Sequence, residues 1–548
     1  MSGRPAPLVA TTRGYDDVPD DAPPRTMAAA LDRLRDRSRG LTFNADTAAT
    51  YLSFAEVGEL TADLAARWAG LGVGPGDRVV LVADDGYEFA LLFLSALRAG
   101  VIAVPVHPPY RMGQAEQYGA ILRRMVTDSA ATCCLVGGSL REVVAGAELS
   151  LPVHEPADLR AAAPGAIRAP RPEDTAFLQF SSGTTAAPKA VVVSHRALLA
   201  NAEAIRAGLR AEPADRAVSW LPLYHDMGLV GFLVVPVINQ IATWYQSSLR
   251  FARSPIGWLR LISTVGATIA YAPNFAYGLL ATRATDADVA ALDLSAWRVA
   301  GCGAEPVQAH TLRAFAERFA PAGFAGHAFL PSYGLAESTL AVTLTPAGSG
   351  LRTTRLDGRE IVSCGVPVAG TEVRILGPGG ERCGPGVEGE ICVRGASLAD
   401  GYHGRPEETA RAWADGWLHT GDQGFLRDGH LYVTGRLKDI ILVNGINHHP
   451  HDIERVAGTV AGIRAGNIAA LPVRNGHSEG VRLVLSLARG ADGDQVTEQV
   501  RRAVRRELGL SVHDILIVRG DLPKTSSGKL RRARTAELLR TGELVVRS

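Results

Sequence analysis

Short apolar runs alternate with amphipathic stretches along most of the chain. Phe54–Leu71 carries apolar residues at helical spacing, and a Gly-Pro-Gly-Asp turn then leads into the apolar run 79–82. Ala90–Arg98 predicts an apolar helix, and residues 101–106 predict another strand. Short strands separated by helices predict an α/β sheet. The pattern returns after Thr175, as a strand to Phe180, a hydroxyl-rich loop, a strand over 190–195 and a helix from Ala197. No unit of 20–50 residues repeats. Between Ile361 and Leu437 the texture changes to short alternating strands broken by Gly/Pro turns, as expected of a small β-rich subdomain. Beyond Asp439 it becomes mixed again, with helices over 451–460 and 494–508. The expected fold is α/β. A tail and first helix (1–46) precede a large domain (47–435) with two α/β sheets and the β-rich part (361–435). A small α+β domain (436–548) follows, with its hinge near 436–439.

Composition narrows the class. With 47% hydrophobic and 21% charged residues in 548, disordered, collagen-like and disulfide-scaffold classes are excluded. Lys+Arg (57) and Asp+Glu (56) nearly cancel, which argues against a nucleic-acid partner. The six cysteines form no C-x-x-C pair, so a reduced, cytoplasmic setting is expected. The first residues lack the apolar core of a signal peptide. The most apolar stretch, Phe89–Val106, contains Arg98, Gly100 and Pro105, so it reads as a buried helix–turn–strand and not as a membrane insertion.

Of the 57 basic residues only four are lysines: Lys189, Lys438, Lys524 and Lys529. A compact ammonium and a planar guanidinium are not interchangeable, so these four are candidates for sites where the ammonium is required, against drift as the alternative. Lys189 closes the loop Phe180-Ser-Ser-Gly-Thr-Thr-Ala-Ala-Pro-Lys189 between two predicted strands. Hydroxyls, a glycine backbone and a point charge can wrap a polyphosphate. The loop lacks the Walker pattern.

This loop resembles the phosphate motif of adenylate-forming enzymes, the superfamily of acyl-CoA synthetases, peptide-synthetase adenylation domains and luciferases. Further motifs follow in the family's order: Gly303-Ala-Glu-Pro306, Tyr333-Gly-Leu-Ala-Glu337, Thr420-Gly-Asp422, Gly435-Arg-Leu-Lys-Asp439 and Pro523-Lys-Thr-Ser-Ser-Gly-Lys529. The resemblance covers roughly residues 47 to 535 and implies ATP as nucleotide, Mg²⁺ as metal and a mobile C-terminal lid. It implies nucleotide contacts from Ser181, Ser182, Gly183, Thr184, Thr185, Lys189, Gly303, Ala304, Glu305, Tyr333, Gly334, Asp422 and Arg436. Glu337 and Thr184 would hold Mg²⁺, Lys438 would be the pivot, and Lys529 would stabilise charge at the reacting phosphate.

Ser219-Trp-Leu-Pro-Leu-Tyr-His-Asp-Met-Gly-Leu-Val230 and Val443-Asn-Gly-Ile-Asn-His-His-Pro-His-Asp-Ile-Glu454 look like the fatty acyl-AMP ligase branch. That branch implies His225 at the carboxylate end of an apolar acyl tunnel. Met227, Gly228, Phe232, Tyr271, Asn274 and Phe275 would line the tunnel, and Asp226 would cap the helix behind it. The expected reaction converts a hydrophobic carboxylic acid to an acyl adenylate, which then passes to an acyl carrier protein. CoA is the rival acceptor. The branch usually carries an inserted segment after the Glu337 motif, whereas Leu340–Ile361 is short. A non-enzymatic adenylate-binding scaffold is a further reading, opposed by the retention of Glu337, Asp422, Arg436 and Lys529.

Overall fold

The computed structural model describes residues 10–11, 24–109, 115–181, 188–356, 358–439, 441–443, 446–475, 478–524 and 530–546. The chain forms two compact units. The larger holds residues up to 181, 189–420 and 425–433, and the smaller holds 182–188, 421–424 and 434–548.

Two α/β sheets organise the larger unit. In one, Arg78–Val82 lies between Cys133–Val136 and Ile102–Pro105, all parallel. Thr175–Phe180 joins beyond Ile102–Pro105, and Ala190–Ser194 closes the edge antiparallel. The central strands are buried on both faces, which is why Cys133–Val136 reads as a continuous apolar run. The second sheet has nine strands, and its parallel core runs Phe329–Gly334, Val299–Cys302, Ile269–Ala272, Arg216–Ser219, Ala242–Tyr245, Gly40–Phe43.

Gly40–Phe43 is a strand of this sheet although it precedes residue 47, the expected start of the large domain. Its parallel partner is Ala242–Tyr245, a long-range pairing that no local pattern announces. The helix Gly86–Ala99 is buried on nearly every side, as an all-round apolar helix must be. It starts on the Asp85 side chain and ends at Gly100 in the left-handed region, with φ +73°. None of the described helices is long and apolar enough to cross a membrane. The third sheet pairs Thr371–Leu376 antiparallel with Gly389–Gly395, next to Trp417–Arg427.

In the smaller unit Ile463–Asn475 and Ser478–Leu487 form an antiparallel pair, and Val512–Val518 adds on parallel. Helix Gly493–Leu508 buries Val496, Val500, Ala503 and Val504, one stripe at helical spacing. Helix Pro450–Gly458 packs Ile453 and Val456 into the same core. Helix Arg532–Thr541 follows, and beyond it Val546 bridges antiparallel to Val518.

Candidate active site

The candidate residues of the larger unit cluster where parallel strands end at their carboxyl edges, the usual ligand edge of an α/β sheet. Ser181 and Lys189 stand at the root of the phosphate loop. The Ser181 N–H donates to the Lys189 carbonyl at 2.9 Å, and the Ser181 hydroxyl accepts from the Lys189 N–H at 3.2 Å. Ser182, Gly183, Thr184 and Thr185, between them, lie outside the described residues.

Lys189 Nζ is 2.7 Å from Glu408 Oε2 and lies over the Tyr402 ring, 4.3 Å from its centroid. The Tyr402 hydroxyl donates to Glu337 Oε1 at 2.9 Å. The two residues expected at phosphate and metal are thus joined by one tyrosine. The Lys189 ammonium, followed by the Arg405 guanidinium, holds the Glu408 carboxyl down at about 2. The half-buried Glu337 offers a hard oxygen donor of the kind Mg²⁺ takes.

Gly303–Glu305 follows strand Val299–Cys302, and Tyr333 and Gly334 end the neighbouring parallel strand. A Cβ on Gly303 would stand 2.7 Å from Ser332 Oγ, and one on Gly334 would stand 1.9 Å from the Leu340 carbonyl oxygen. The approach at Gly334 is to backbone and requires glycine, whereas at Gly303 the Ser332 hydroxyl would have to turn away. Ala304 has φ +69°, a costly conformation for a residue with a Cβ and one that clusters at functional sites. Glu305 Oε1 accepts from the Phe275 N–H at 2.6 Å. Asn274 Oδ1 accepts from the Gln308 N–H at 3.0 Å. These two bonds hold the expected adenine turn against the expected acyl wall, so Asn274 and Glu305 have structural partners here.

On the acyl side, Tyr271 and Phe232 are buried with ring centroids 6.1 Å apart. A Cβ on Gly301 would meet the Tyr271 ring at 2.1 Å, so the ring lies across bare backbone. Phe275 is exposed, with its ring 6.3 Å from Trp220. His225 Nδ1 is 2.6 Å from Asp226 Oδ1, which also accepts from the Met227 N–H at 2.7 Å. The capping position of helix Asp226–Leu229 is His225, not Asp226, because the chain turns one residue earlier, where the His225 N–H donates to the Pro222 carbonyl. Gly228 sits where a Cβ would be 2.2 Å from that carbonyl oxygen. Val230–Val234, containing Phe232, is a π-helical turn, a form that recurs at functional sites. The Tyr245 hydroxyl donates to the Phe232 carbonyl at 2.5 Å.

In the smaller unit Arg436 Nε donates to Asp422 Oδ1 at 2.9 Å, so two residues of separate motifs form one pair. Lys438 is exposed in the turn Leu437–Asp439. Lys529 lies outside the described residues. The root of its loop is defined by a bridge between Lys524 and Leu530 and by the Arg531 N–H donating to the Pro523 carbonyl at 2.9 Å.

Sequence reasoning missed Tyr402, Glu408, the π turn and the pair Glu390–His419. His419 Nδ1 is 2.9 Å from Glu390 Oε2, and the adjacent Thr420 hydroxyl donates to the Ile391 carbonyl at 2.7 Å. Cys392, Glu390 and His419 place one ligand atom each within 4.8 Å. Burial pushes the Cys392 thiol up to about 12, so it stays a neutral apolar side chain. A 680 Å³ groove lined by Arg39, Tyr51, Asp215, Arg216 and Trp244 lies at the opposite, amino edge of the nine-stranded sheet.

Residues 34–403 match the family model described as AMP-binding enzyme. A putative acyl-CoA synthetase of Caulobacter vibrioides is 38% identical over 520 residues, 89% of this chain and 91% of the relative. The long-chain-fatty-acid–AMP ligase FadD26 of Mycobacterium tuberculosis is 35% identical over 516 residues, 85% of this chain and 88% of the relative. A solved structure from work on fatty acyl-adenylate ligases of E. coli and L. pneumophila superposes with a TM-score of 0.89. It is 34% identical and covers 95% of this chain and 99% of that one.

Proposed function

The chain belongs to the AMP-binding enzyme family, and from that premise we propose that it activates a hydrophobic carboxylic acid with ATP as an acyl adenylate, in the manner of a fatty acyl-AMP ligase. A carboxylate oxygen attacks the α-phosphorus, the bond to the bridging oxygen breaks, and pyrophosphate leaves with that oxygen. The single observation that carries the reading is the Lys189–Tyr402–Glu337 chain, which puts an ammonium and a hard carboxylate on one tyrosine beside the phosphate-loop root.

Glu337, with Thr184, would hold Mg²⁺, which when bound neutralises charge on the phosphate oxygens. Lys189 draws the phosphates as a point charge and must exchange Glu408 for them. Tyr333 and the Gly303–Glu305 turn take the adenine, and Asp422, steadied by Arg436, accepts the ribose hydroxyls. His225 orients the acid carboxylate, and Tyr271 and Phe232 give its chain an apolar wall. Lys529 brings its ammonium to the charge that builds at phosphorus. Residues 436–548 act as the lid, with Lys438 as pivot.

The acyl group then passes to the phosphopantetheine thiol of a carrier protein, with AMP leaving. CoA as acceptor is the second reading. It is favoured by the Caulobacter relative and by the shortness of the 340–361 segment, which holds the strand Ala341–Leu344 and part of the hairpin Thr353–Leu356/Arg359–Val362. A carboxylic-acid panel read by pyrophosphate release tests the activation. Incubating the best acid with holo carrier protein or CoA then separates the acceptors. Acyl-carrier product without acyl-CoA supports the first reading, and no pyrophosphate with any acid contradicts both.

A further inference from the structure

Arg532 would be read from sequence as part of a basic, solvated tail. In the structure it is mostly buried, with its guanidinium between two carboxylates. Nε donates to Glu454 Oε1 at 2.7 Å and Nη2 to Glu454 Oε2 at 2.6 Å, a two-pronged pair. Nη1 reaches Asp439 Oδ2 at 3.3 Å. Glu454 belongs to helix Pro450–Gly458, and its Oε1 also accepts from the Ala470 N–H at 3.0 Å.

The positions of these groups along the chain matter. Asp439 ends the turn Leu437–Asp439, next to the expected pivot Lys438. Arg532 opens helix Arg532–Thr541, three residues after Lys529. The residue before it, Arg531, is bonded to Pro523 at the loop root. The pivot turn and the root of the lysine loop are thus held to one buried carboxylate by one guanidinium. We propose that Arg532 is a positioning residue, which makes the pivot turn, helix Pro450–Gly458 and the Lys529 loop root move as one rigid piece. This rests on the adenylation reading above. A lysine cannot replace it, because a point ammonium cannot fork onto Glu454 and still reach Asp439. Misplacing a reactive group by about 1 Å costs on the order of 100-fold in rate.

The test compares Arg532→Met, Arg532→Lys, Asp439→Asn and Lys529→Ala in the full chain. It reads acid-dependent pyrophosphate exchange and amide hydrogen exchange over 523–531. Arg532→Met and Asp439→Asn are expected to lower kcat about 30- to 100-fold with KM for ATP and acid within about threefold. Amides at the loop root should exchange faster, and Arg532→Lys should fall between. If Arg532→Met does not fold, Asp439→Asn decides alone, since it leaves the Glu454 fork intact. A folded Asp439→Asn or Arg532→Met with wild-type kcat, or a loss confined to KM, while Lys529→Ala is inactive, overturns the proposal. An active Lys529→Ala overturns it together with the reading beneath it.

Discussion

The hydroxyl of Tyr402 donates to Glu337 at 2.9 Å, while its ring face carries the Lys189 ammonium. Tyr402 therefore orients the candidate metal carboxylate and shields the candidate phosphate lysine. Removing the hydroxyl leaves the ring and takes away only the donor. Tyr402→Phe should lower kcat/KM for ATP about tenfold and raise the Mg²⁺ concentration needed for half-maximal rate, because support behind a metal ligand is worth about 10- to 100-fold. Pyrophosphate release measured across a Mg²⁺ series checks this.

Asp422 and Arg436 form one ion pair in the smaller unit, with Asp422 nearly buried and Arg436 half-exposed. Asp422→Asn should raise KM for ATP about 10- to 100-fold, since hydrogen bonds to a charged acceptor contribute about 1.5–3 kcal/mol. Arg436→Ala should act in the same direction and more weakly. Initial-rate kinetics with varied ATP gives both values.

Gly301 lets the Tyr271 ring lie 2.1 Å from where a Cβ would be. Gly301→Ala should force the ring aside, costing about 1–3 kcal/mol of stability as overpacking. The displaced ring should also narrow the acyl wall it shares with Phe232. Urea unfolding, together with KM for acids of increasing chain length, checks both effects.

His195 is fully buried at the start of helix His195–Leu209, where its Nδ1 accepts from the Met27 N–H at 3.2 Å. Burial lowers it from 6.5 to about 4, against a smaller opposing effect of Asp174. As pH falls through 6.5 the unfolded chain gains a proton that the folded chain refuses, so stability drops from there until about 4. That single group accounts for about 3 kcal/mol over this window. His195→Gln should flatten the slope by one proton between those limits, as read by unfolding midpoints at stepped pH.

Local pattern revealed most of the architecture, because central parallel strands are uniformly apolar and helices carry their stripes. Arg78–Val82 and Gly493–Leu508 are examples. The placement of Gly40–Phe43 in the large sheet is hidden: its local partner is Thr50–Ser53, but the parallel strand that joins it to the sheet comes some two hundred residues later. Gly334 and Gly228 could be suspected from motif alone, and the structure supplies the close backbone approaches that require them. Tyr402 and Arg532 carried no signal. Each acts through partners remote in sequence, and an isolated Tyr or a run of Arg looks the same whether it is solvated or buried.

The central claim is that Lys529 serves acyl-adenylate formation. Its most direct test is acid-dependent exchange of labelled pyrophosphate into ATP, measured for the wild-type chain and for folded Lys529→Ala. The account predicts robust exchange in the wild type and a loss of at least about 100-fold in the variant. Equal exchange in the two would contradict it.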